Sequence, residues 1–180
     1  MFKSLQEARE YIQKTRQELE QRVQETCIIV VLLGAGGEGL EKRRKLDRML
    51  EEQGILSLIP EDDFVSDDVA PSLIEEAVLE RADVDLIFVD TTSWGSVTEF
   101  VQFHDKRNIA PKLRVLTPYE YHPIYGNSTG YLTDVYLNHV VKYGHVYAYD
   151  DEGKSVFPTS ERIVITITMR YRKLVALGKI

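Results

Sequence analysis

A doubly wound α/β sheet is the fold class this sequence predicts, and three observations predict it. Short apolar runs alternate along the chain with segments of helical character, the pattern of βαβ units and a parallel sheet with helices on both faces. The apolar runs are continuous rather than alternating in polarity, as strands buried on both faces must be. Gly or Pro punctuates the ends of several runs, where helices and strands stop.

The elements follow in order. Residues 2–25 carry a thin apolar stripe, Leu5, Ala8, Ile12, Leu19 and Val23, among Glu, Gln, Lys and Arg; this is an amphipathic helix, placed in a segment 1–26 ahead of a single α/β domain over 27–180. "CIIVVLL" (27–33) is a strand, with Cys27 expected in the core. "LEKRRKLDRMLEEQG" (40–54) is a helix stopped by Gly54, with "EKRRK" as its solvated face. "ILSLIP" (55–60) is a strand, "SLIEEAVLERA" (72–82) a helix, "VDLIFVD" (84–90) the central strand, and "SVTEFVQFHDKRN" (96–108) a helix. "KLRVLTP" (112–118), "YLTDVYLNHVVKYG" (131–144) and "HVYAYD" (145–150) continue as strand, helix and strand, for about five strands in all. "ERIVITITMRYRKLVALGKI" (161–180) alternates with period two in its first half, so the expectation is an extra C-terminal edge strand and a tail.

The chain has 180 residues, 43% hydrophobic and 28% charged, ordinary values for one soluble domain with a real core. A formal net charge of -7 sets it against nucleic acid and anionic membrane as main partners and leaves a small molecule as the expected ligand. One cysteine excludes an intrachain disulfide and a cysteine zinc site. The four histidines stand at no metal-ligand spacing, so neither metal nor cofactor is expected. The start of the chain is polar and no apolar run approaches the ~20 residues of a membrane span, so the expected location is cytoplasmic.

In an open parallel sheet, ligands collect beyond the carboxyl ends of the strands. The first such end, "GAGGEG", holds Gly34, Gly36 and Gly39 in G-x-G-x-x-G spacing between strand and helix, with Gly37 beside them. Three readings are open: a dinucleotide fingerprint, a loop admitting a phosphate or sugar closely, and a plain tight turn. Glu61 is a poor match for the fingerprint's acid, and no P-loop lysine follows. The third strand ends in "DTTSWGSVTEF". Ser96–Val–Thr–Glu99 is a formal capping box, as is Ser72–Leu–Ile–Glu75, and a cap would account for both glutamates without any function. Position argues otherwise for Glu99, which follows the central strand.

"DTTSWGSVTEF" resembles the D-x-x-S-P-G-T-x-x-E signature of the nucleoside 2-deoxyribosyltransferase-like N-glycosidases, with Ser93, Gly95, Ser96 and Glu99 in the serine, glycine, threonine and glutamate places. The first strand and its Gly-rich loop, "IPEDD", and "IEEAVLERADVDLIFVD" stand in the same order as in that superfamily, so the similarity spans roughly residues 27–118. The resemblance implies a flavodoxin-like core, Glu99 as nucleophile beneath C1 of a sugar, and Glu75 as a supporting acid. It further implies a cradle for nucleoside or nucleotide from Gly34, Gly36, Gly37, Asp90, Ser93, Gly95 and Ser96, and a homodimer in which neighbours complete the site. The chemistry suits these residue types: a carboxylate can trap an oxocarbenium-like centre, and a second carboxyl can protonate the leaving base.

The chain departs from the family pattern after Glu99, where Val101 and Phe103 replace small residues, and at Trp94, which replaces proline. Bulk there would fill the pocket or push the helix off the sheet. Two expectations of different class therefore stand: an N-glycosidase or deoxyribosyltransferase, and a nucleotide-binding or interaction domain without turnover. Trp94 beside Ser93 is also faintly similar to the S-x-W-C-x-x-E segment of TIR domains, whose glutamate cleaves NAD at the same kind of bond. Finally, "TPYEYHPIYGNSTGYLTD" forms a long loop at the ligand end, offering Tyr119, Tyr121 or Tyr125 to stack on a base and Asn127 to touch sugar or base.

Overall fold

The computed structural model describes residue 2 and residues 4–180. Strands β1 (Ile29–Leu33), β2 (Leu56–Leu58), β3 (Leu86–Asp90), β4 (Leu113–Pro118) and β5 (Val146–Tyr149) form one sheet, in the order β2-β1-β3-β4-β5. All four pairings are parallel. The helices are α1 (Leu5–Glu25), α2 (Glu38–Glu51), the single turn α3 (Pro60–Asp63), α4 (Pro71–Leu79), α5 (Trp94–Phe103), α6 (Tyr131–Tyr143) and α7 (Ser160–Ala176). This is the doubly wound, flavodoxin-like arrangement, with its topological switch point between β1 and β3.

Alternate residues of each strand feed two cores. Val31, Leu33, Ile87, Val89 and Val115 meet Phe100 and Phe103 of α5 and Tyr136 of α6 on one face. Val30, Leu32, Leu86, Phe88 and Leu116 meet Leu46 and Leu50 of α2 and Ile163 and Val164 of α7 on the other. Burial on both faces is why the strands read as uninterrupted apolar runs. Gly144 ends α6 in the left-handed region (φ 73°), where the absence of a Cβ makes the turn inexpensive.

Two expectations fail here. The C-terminal segment is a helix, α7, and not an edge strand. Its buried stripe runs Val164, Thr168, Arg172 and Ala176 at four-residue spacing, and two polar members disguised it in the sequence. Burying that stripe against β1, β3 and β5 outweighs the strand preference of a β-branched run. Arg172 reaches from it to the carbonyls of Gln24, Thr26 and Gln53, tying the end of α1 to the sheet. Cys27, expected in the core, is exposed: it lies in the connection between α1 and β1, one residue before the buried Ile28. α1 contacts α7 yet buries none of its own residues, and Leu5, Tyr11 and Ile12 face solvent. Among the described residues no helix is long and apolar enough to cross a membrane.

Candidate functional site

The local structure releases both glutamates from capping. α5 begins two residues earlier than its sequence suggested, with Ser93 as N-cap. Ser93 Oγ accepts the Ser96 N–H (3.2 Å), and Ser96 Oγ accepts the Ser93 N–H (3.1 Å). The box is therefore Ser93–Ser96, and Glu99 stands a turn further along the helix. α4 begins at Pro71 after Ala70, without a side-chain cap, so Glu75 caps nothing either. The starts differ from expectation because a chain turning off a strand end is capped by whichever hydroxyl the turn brings into line.

Freed from that duty, Glu75 and Glu99 line one cavity of about 380 Å3, together with Gly34, Arg43, Glu61 and Phe64. It opens beyond the carboxyl end of β1, walled by Arg43 of α2, Pro60 and Glu61 of α3, Glu75 of α4 and Glu99 of α5. Both carboxyls are partly buried, and one oxygen of Glu99, Oε2, is buried without a hydrogen-bond partner. Burial, then the neighbouring Glu75 and Glu61 carboxylates, raise the Glu99 pKa to about 7; Arg43 pulls the other way. Burial and Glu61 raise Glu75 to about 7 as well. At neutral pH the two acids therefore lie midway through their titration, one form able to donate a proton and the other to act as base or nucleophile.

Arg43 is the member that sequence reasoning missed. It lies in "EKRRK", expected to be solvated, yet it is only 7% exposed. Its guanidinium grips Glu61 through two bonds (2.7 and 2.6 Å) and donates to the carbonyls of Leu32, Gly34 and Ala35. A signal was available, since Arg43 sits on the stripe Leu40, Arg43, Leu46, Leu50 that turns toward the sheet. Gly34 accommodates it: a Cβ there would lie 3.3 Å from Arg43 Nε and 3.6 Å from Asp90 Cβ. Carbonyls of the glycine loop thus point at a cation. The first turn of α2 carries Glu38 and Glu41, acids that already complement the helix dipole.

The remaining expected residues disperse. Asp90 lies across Gly34 and Arg43 in a separate cavity of about 390 Å3 between α2 and α7; burial raises its pKa to about 6, although Tyr149 donates to it at 2.9 Å. Ser93 lines a third cavity, Ser96 is buried in the cap, and Gly95 is exposed on the first turn of α5. Gly36 and Gly37 do not line the acid cavity; Gly37 caps α2 with φ 58°. Asn127 is exposed and does not line it either. Tyr119 stacks on Phe157, and Tyr125 packs on His122 and Phe157, which leaves Tyr121 free. No group of three or more His, Cys, Asp or Glu among the described residues is arranged to hold a metal.

The bulky departures do not obstruct the acid cavity. Phe103 is core and Val101 packs against that core, neither lining the cavity, while Trp94 projects into solvent on another flank of α5. No family model matches the chain, and no curated protein matches it.

Proposed function

We propose that this protein cleaves the N-glycosidic bond of a nucleoside or nucleotide, with Glu99 as nucleophile and Glu75 as the acid that protonates the leaving base. The observation that carries the reading is the convergence of these two carboxyls, neither engaged in a cap, in one cavity beyond the carboxyl end of β1. A shared pKa near 7 supports it, because the reaction needs one carboxylate and one carboxylic acid at the same pH. Attack of a Glu99 oxygen on C1 forms the glycosyl ester as the C1–N bond breaks, and the base leaves with the Glu75 proton. Glu75, now a carboxylate, then deprotonates water or a second base, which attacks C1 and releases Glu99. Arg43 holds the loop carbonyls and Glu61, and limits the charge the pair must bear. The working unit is proposed as a homodimer, its exposed α1 stripe covered by a second copy.

The test is incubation with nucleosides, their 5′-monophosphates and NAD, with free base measured by chromatography. Release that Glu99→Gln abolishes supports the enzyme. Saturable binding without release would replace it with a nucleotide-binding domain, and release from NAD alone would favour the TIR-like alternative.

A further inference from the structure

A second cavity, of about 400 Å3, lies between the first turns of α5 and α6 at the ends of β3 and β4. We propose that it is a separate ligand site, taking an uncharged planar heteroaromatic ring between Trp94 and Tyr121. The acid cavity is lined by Arg43, Glu61, Glu75 and Glu99, whereas no charged side chain lines this one. A charged ligand would lose its hydration there without a counter-ion, so the site selects a neutral one. Its floor is polar but satisfied: Tyr136 donates to Thr91 Oγ1 (2.6 Å), and Thr91 donates to the Leu116 carbonyl (3.0 Å). Both residues are buried, so the floor is fixed in advance of binding.

The mouth is aromatic. Trp94 is 90% exposed and Tyr121 54%, large apolar faces left in water beside a preformed cavity. Their neighbours Tyr119 and Tyr125 pack on Phe157 and do not line this cavity, which singles out Tyr121. Polar recognition is available at the rim from the exposed hydroxyls of Thr92 and Ser128. α6 begins at Gly130 with no side-chain cap, leaving first-turn N–H groups for a ring carbonyl or ring nitrogen. A flat ring with such an edge is what these donors and faces match.

The site is independent of the glutamates. Val97 lines this cavity and Glu99 the other, and two residues along a helix differ by about 200° around its axis. The two cavities therefore flank α5 on opposite sides, and a ligand here is not the one poised over Glu99.

Trp94 is the chain's only tryptophan, so its fluorescence reports the mouth directly. The 180-residue chain is titrated with adenine, uracil and nicotinamide, and with benzoate as a flat anion. At least one neutral ring should give a saturable change in emission, and benzoate none. Val97→Phe, which fills the cavity from α5, should weaken the response by roughly tenfold or more. Tyr121→Ala, an exposed position that leaves the core untouched, should weaken it as well, and keeps the test open if Val97→Phe folds poorly. Glu99→Gln should leave the curve unchanged. A response that never saturates, that benzoate shares, that both cavity variants retain, or that Glu99→Gln abolishes would overturn the site, whatever the outcome of the base-release assay.

Discussion

Replacing Glu99 with glutamine keeps the shape of the side chain and removes its charge. In the unfolded chain the carboxyl titrates near 4.5, and the fold holds it at about 7. Between those values the native state binds more protons than the unfolded one, so stability falls as pH rises through 4.5 to 7 and the cost of the ionised form is complete above 7. The gap corresponds to about 3 kcal/mol at 1.36 kcal/mol per unit. Solvent reaches part of the side chain and screens it, which reduces the expected cost to about 1–2 kcal/mol. Glutamine avoids that cost and forfeits no hydrogen bond at Oε2, which has none. Glu99→Gln should therefore melt roughly 2–8 °C higher than the natural chain at pH 8. The difference should vanish by ~pH 3, well below 4.5, where Glu99 is protonated in both states. The measurement is a pair of calorimetric melts for each protein at the two pH values. A variant that melts lower at pH 8 would show that the carboxylate is held by favourable partners, and the argument from its buried, unpaired oxygen would be wrong.

Base release should follow a bell-shaped pH profile centred near 7, lost on the acid side as both carboxyls protonate and on the alkaline side as both ionise; a flat profile from pH 5 to 9 would remove the pair from the chemistry. Arg43→Met should destabilise by roughly 2–4 kcal/mol in urea unfolding, because Glu61 and three carbonyls lose their donor. Phe103→Ala, which restores a small residue where the resembled family has one, should cost about 3–5 kcal/mol, the scale of an emptied core site, without improving turnover. Sedimentation of a chain lacking residues 1–20 should show weakened self-association; an unchanged dimer would move the interface from α1 to the globular body.

Five strands, their parallel pairing and the position of Glu99 after the central one were legible in the sequence. Apolar run length and helical periodicity are properties of neighbouring residues, and a sheet covered on both faces leaves them undisguised. Glu99 stood out by its place after the end of β3, whereas Glu75, inside α4, was singled out only by the family resemblance. What those residues do to each other depends on how the elements dock. The identity of the α5 cap turned on whether Ser93 or Ser96 stood at the first free N–H, a matter of how the chain leaves β3. The fate of 161–180 was decided by an unoccupied sheet face, which an isolated strand pattern cannot reveal. Arg43 and Arg172 are charged residues made tolerable inside by carboxylate or carbonyl partners supplied through the fold, so composition points them outward and packing turns them in. The pKa values of Glu75 and Glu99 belong to this second class. Burial and the approach of Glu61 set them, and those distances exist only once α3, α4 and α5 have docked around the end of β1.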